Sequence, residues 1–211
     1  MSIQRLRLAL TLISLTALTF AQTRLQSGAA AAAVGPAYGI GVGYDYVGMS
    51  LPAGPRSNLN GIVVSGNVDL SQHWGATMES SYARATRLAG SDHSNYSLSV
   101  MTGPVFTPLE RTDTRLLVRV LAGASLVDGA VPAGQLYYRG WEERFSYAAG
   151  AGVERRIFER WAFRINGDYL RTEFVNQNGV LKPQNSIRLA GSLVIRVGNR
   201  HEASSVIRRH H

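Results

Sequence analysis

The chain has 211 residues, no cysteine and a formal charge of +8, and Lys182 is its only lysine. Without cysteine it has no disulfide, no thiolate metal site, no Cys nucleophile and no lipoprotein anchor. The length suits one domain, and the basic residues are scattered rather than clustered, which argues against nucleic acid as a partner.

Residues 1–21 read as a signal peptide. Arg5 and Arg7 supply a positive start, Leu8 to Leu18 an apolar run, and Thr19-Phe20-Ala21 a cleavage site. The run is short for a spanning helix, which needs about 20 apolar residues. Residues 22–35 read as a flexible N-terminal segment, and 199–211 as a basic periplasmic tail.

Between them the apolar period is two, the signature of strands with two chemically different faces. From Trp161 one parity reads Trp161, Phe163, Ile165, Gly167, Tyr169, and the other Ala162, Arg164, Asn166, Asp168. The same test along the chain predicts strands at 37–49, 60–70, 75–86, 94–107, 114–127, 143–155, 161–173 and 186–198. Each reaches the roughly 9–11 residues that a tilted strand needs to cross a bilayer.

The connections alternate in length. Those near Ser71–Trp74, Pro108–Asp113 and Arg156–Arg160 are short; those near Leu51–Leu59, Arg87–His93, Asp128–Glu142 and Val175–Asn185 are longer. Short periplasmic turns and longer external loops belong to an up-and-down membrane barrel. In that topology Tyr38, Trp74, Phe106 and Trp161 form one aromatic belt, and Tyr44, Tyr46, Tyr82, Tyr96, Phe145, Tyr147 and Tyr169 the other. The expected fold is therefore all-β: an eight-stranded antiparallel up-and-down transmembrane barrel over residues 36–198, preceded by the signal peptide.

Volume decides which face lies inside. An eight-stranded barrel has room only for side chains, and the bulky apolar parity would overfill it. The polar parity mixes charges with Gly39, Gly41, Gly43, Gly150 and Gly152, so a glycine on one strand leaves room for an arginine from its neighbour. The predicted lumen holds Asp45, Asp69, Glu79, Glu154 and Asp168 against Arg115, Arg119, Arg144, Arg164, Arg188 and Arg196. Such charges must pair. The barrel-interior ion-pair candidates are Glu79, Arg115, Arg119, Glu154, Arg164, Asp168, Arg188 and Arg196. The inverted arrangement, apolar inside, would be a soluble lipocalin-like binding barrel.

The glycine-rich opening AYGIGVGYDYVG and the late hairpin YAAGAGVERRIFERWAFRINGDYLRTEF carry a resemblance to the outer-membrane-protein β-barrel domain family, the small OmpA-like barrels. That resemblance implies an integral protein of the bacterial outer membrane, with a structural, adhesive or weakly pore-forming role and no shared catalytic residues. Two features depart from the family pattern: no peptidoglycan-binding domain follows the barrel, and the last strand is followed by a tail instead of ending on an aromatic residue.

Gly39-x-Gly41-x-Gly43 and Gly150-x-Gly152 lack the dinucleotide-binding spacing, and outside the terminal tail the histidines show no metal-ligand spacing on a shared face. No catalytic residue, metal or cofactor is expected. Three roles compete beside a purely structural one. The ion pairs could exchange to open a narrow gated, porin-like conduit. Ser91, Asp92, His93 and Ser94, near the external side, supply residue types that a lipid-modifying enzyme would need. Tyr137, Tyr138, Arg139 and Trp141 are the external-loop candidates for an extracellular ligand, since aromatics beside Arg make binding hot spots. The other expected partners are outer-membrane lipid and the barrel-assembly machinery.

Overall fold

The computed structural model describes residues 37–49, 57–86, 94–128, 131–133, 136–138, 141–175 and 181–197. In chain order the strands are β1 (Ala37–Met49), β2 (Ser57–Asp69), β3 (Trp74–Ala85), β4 (Asn95–Glu110) and β5 (Thr114–Asp128), then β6 (Val131–Ala133) and β7 (Leu136–Tyr138). They are followed by β8 (Trp141–Arg156), β9 (Trp161–Val175) and β10 (Leu181–Val197). All but β6 and β7 close into one eight-stranded antiparallel barrel, and those two form a separate hairpin. β1 seals the ring against β10, from Tyr38 opposite Val197 to Met49 opposite Ser186. Closure leaves no unpaired edge, the condition a sheet must meet to sit in hydrocarbon. No described helix is long and apolar enough to cross a membrane; the strands are the elements that cross.

Each of the eight predicted strands has a counterpart in the wall, and the differences have local causes. The segment 128–142, expected to be a loop, instead contains the β6–β7 hairpin and the first residues of β8. β10 begins at Leu181 rather than 186, because Pro183 interrupts the alternation without preventing pairing with Glu173. β4 continues through Pro104 and Pro108 to Glu110, and its register against β5 shifts between Phe106 and Leu109. A proline cannot donate to the ladder, and a bulge absorbs the defect.

The parity of each strand separates wall from lumen. Ile40, Val64, Met78, Val120, Ile165 and Leu193 face outward and are exposed, forming an aliphatic band. Tyr38, Trp74 and Trp161 ring it near the short turns, and Tyr44, Tyr82, Phe145, Tyr147 and Tyr169 near the long connections. Trp74 packs on Phe106 across β3 and β4 with ring centroids 4.9 Å apart. Apolar-out and polar-in is the membrane arrangement, and it excludes the lipocalin-like inversion.

Candidate functional site

The inward parity builds a lumen in three levels along the strands. Near the short turns, Arg164 pairs with Glu154 (2.5 Å), Arg196 with Glu154 and Asp69, and Arg115 with Asp69 (3.1 Å) and Glu110 (3.4 Å). Asn67 ties into this chain by accepting from Arg164 at 2.8 Å. At mid-barrel, Arg188 reaches Asp45 (2.9 Å) and Glu79 (2.5 Å), while Arg119 reaches Glu79 and Asp168 (2.5 Å). Toward the long connections the charges give way to a mixed filling: Val47, Met49, Leu59, Ala83, Ala85, Met101, Leu121, Ala148 and Leu170 form one buried apolar cluster, interleaved with the buried small polar side chains of Asn95, Ser125, Ser146, Thr172, Gln184 and Ser186.

The strands' registers explain why these partners meet. Gly150 on β8 lies directly opposite both Arg119 on β5 and Asp168 on β9. With no side chain there, the guanidinium crosses β8 and donates two hydrogen bonds to the Asp168 carboxylate, Nε to Oδ1 at 2.9 Å and Nη2 to Oδ2 at 2.5 Å. A Cβ at Gly150 would lie 2.2 Å from Asp168 Oδ1. Glu154 sits opposite Arg115 on one side and Arg164 on the other, so its pairing with Arg164 is a direct cross-strand contact.

The eight predicted interior residues, Glu79, Arg115, Arg119, Glu154, Arg164, Asp168, Arg188 and Arg196, thus all point into the lumen and join two chains of alternating charge. Asp45 and Asp69, on the same parity, complete them. Glu110 is the member that periodicity misses: the β4 bulge turns it to the Arg115 side, opposite Arg115 in the shifted register. Of the loop candidates, Tyr137 and Tyr138 belong to β7 and Trp141 opens β8. Arg139 lies outside the described residues, as do the side chains of the other three, and so do Ser91, Asp92 and His93.

Burial sets what this interior can do. Arg119, Glu79, Asp168, Arg188 and Asp45 are each at most 3% exposed, so their charges persist only by mutual pairing. Breaking such a pair costs about 3–5 kcal/mol, because the remaining charge is stranded in a medium that solvates it poorly. Leu59 and Leu121 are fully buried in the apolar cluster. A cavity of about 20 Å³, lined in part by Asn67, Thr77, Arg115, Arg119, Arg164 and Asn166, separates the two ionic chains. That volume holds about one water molecule and no organic solute. Among the described residues no group of acidic or histidine side chains is arranged to hold a metal ion.

A family model described as outer membrane protein beta-barrel domain matches residues 9–190. The fold is similar to that of Ail, the attachment invasion locus protein of Yersinia pestis, with a TM-score of 0.53 and 17% identity over 76% of this chain and 98% of that one. It is also similar to Neisserial surface protein A, with a TM-score of 0.59 and 9% identity over 75% of this chain and 97% of that one. No curated protein matches the chain in sequence.

Proposed function

The chain belongs to the outer membrane protein beta-barrel domain family, and from that premise we propose that it is a sealed, non-conducting barrel of the bacterial outer membrane whose activity resides in its external connections. The observation that carries this reading is the lumen's filling: two chains of ion pairs are capped by a packed level of apolar and small polar side chains in which Leu59, Leu121, Asn95 and Ser146 have no exposure. A conduit would have to break buried pairs and part apolar side chains together, each step costing several kcal/mol. A rigid, filled wall is instead a support for surface-presented segments.

In this reading outer-membrane lipid covers the wall, the barrel-assembly machinery inserts it, and an extracellular ligand meets the connection between β5 and β8. No catalytic step is assigned to it. The test is purified, refolded protein in a planar bilayer: no channel events are expected at any applied voltage. Steady single-channel steps would overturn the sealed barrel and favour the gated conduit. Deleting Val131–Arg139 while retaining heat-modifiable gel mobility should abolish binding to host-cell surfaces; retained binding would move the site elsewhere. Lipid A from cells with and without the protein should be identical, and a changed profile would reopen the enzymatic reading.

A further inference from the structure

Charge on the outward-facing parity of the described strands is confined to the strand ends. The cost of an arginine on the lipid face explains this, falling from about 2–4 kcal/mol at the midplane to about 0–1 near the interface. Two of these arginines repeat one arrangement at the external rim. Arg84 on β3 stands directly opposite Tyr96 on β4, with its guanidinium carbon 5.2 Å from the ring centroid. Arg171 on β9 stands directly opposite Tyr147 on β8, 6.0 Å from that ring's centroid. Each tyrosine has a second aromatic beside it, Tyr82 at 6.3 Å and Phe145 at 6.4 Å between centroids.

We propose that these Arg–Tyr pairs are binding sites for the phosphate of a lipid headgroup lying against the external rim. A guanidinium lying over an aromatic face keeps N–H groups available to other partners, and its planar edge matches phosphate oxygens two at a time. The aromatic girdle fixes the height of the pair at the level where acyl chains give way to headgroups. Arg84 has no carboxylate within ion-pair distance among the described residues, and it makes a long hydrogen bond of 3.4 Å to Ser94 Oγ. Arg171 shares its Nε with Glu173 at 2.9 Å, so its site is the weaker of the two. The two sites lie on different parts of the ring, one between β3 and β4 and one between β8 and β9.

The test uses the full refolded chain in uncharged detergent, read by its intrinsic tyrosine and tryptophan fluorescence. It is titrated with short-chain phosphatidic acid, with phosphatidylcholine of equal chain length, and with inorganic phosphate. The phosphomonoester lipid should bind tightest. Arg84→Gln should weaken it about tenfold, the scale of one lost charge-assisted fork, and Arg171→Gln less. Arg84→Lys, which keeps the charge but not the planar fork, should fall between wild type and Arg84→Gln. Inorganic phosphate should not compete, because it lacks the chains that hold a headgroup at the wall. Equal binding by Arg84→Gln, equal affinity for phosphatidylcholine, or full competition by inorganic phosphate would each overturn the proposal. So would an equal loss in Arg156→Gln, whose arginine lies in β8 at the opposite, short-turn end; that result would reduce the effect to net charge.

Discussion

Replacing Arg119 by Met tests whether the lumen is as dry as its packing implies. Arg119 is the shared cation of Glu79 and Asp168, and the three side chains are 2%, 3% and 0% exposed. After the substitution Glu79 keeps Arg188, but both hydrogen bonds that Arg119 gives the Asp168 carboxylate are lost. The mid-barrel chain, already three carboxylates to two guanidiniums, becomes three to one. The expected loss is therefore the full cost of a broken buried pair, about 3–5 kcal/mol. That is a rise of about two to more than three powers of ten in the unfolded fraction. Reversible urea unfolding of the refolded barrel in lipid vesicles, followed by tryptophan fluorescence, measures it directly. Removing the stranded charge as well, in Arg119→Met/Asp168→Leu, should recover most of the loss, because an apolar pair of similar volume can replace a buried ion pair at little net cost. If Arg119→Met costs less than about 1 kcal/mol, the value typical of a hydrated ion pair, the lumen is wet and the sealed reading falls with it.

Arg156→Ala supplies the exposed contrast. Its pair with Asp113 is 2.9 Å long but 31% and 59% exposed, so it should cost no more than about 1 kcal/mol in the same unfolding assay. Gly150→Ala should be destabilising despite its conservative chemistry, because the new Cβ would meet both Asp168 Oδ1 and the Gly167 carbonyl oxygen at 2.2 Å. A loss of about 1–3 kcal/mol is expected from overpacking, with a reduced heat-modifiable band as the visible sign. Leu121→Ala, in the apolar cluster, should cost about 2–5 kcal/mol by opening a cavity among its neighbours. A neutral result in vesicle unfolding would show that this cluster is loosely packed.

Periodicity makes the wall legible because one alternation separates lipid from lumen on every strand. Arg119, Arg164 and Arg188 lie on the inward parity by simple counting, and so do Asp45 and Asp69. What counting cannot supply is the partner. Arg119 finds Glu79 two strands away on one side and Asp168 two strands away on the other, a choice set by barrel curvature and by Gly150 beneath the second contact. Glu110 lies on the wrong parity for its role until the β4 bulge displaces it by one residue. Pro183 and the 128–142 segment mislead for a related reason: pairing with a neighbouring strand overrides weak local alternation.

The amino-acid sequence by itself determined the number of strands in the wall, the faces they present and, Glu110 apart, the charges of the ion-pair chains, since each follows from a local two-residue repeat and from side-chain volume. Only the tertiary structure decided which charges meet, how the packed level beside the long connections caps them, and that two rim arginines lie over tyrosines of adjacent strands. Those outcomes depend on inter-strand register and closure, which bring together residues far apart in the chain, and no local repeat encodes them.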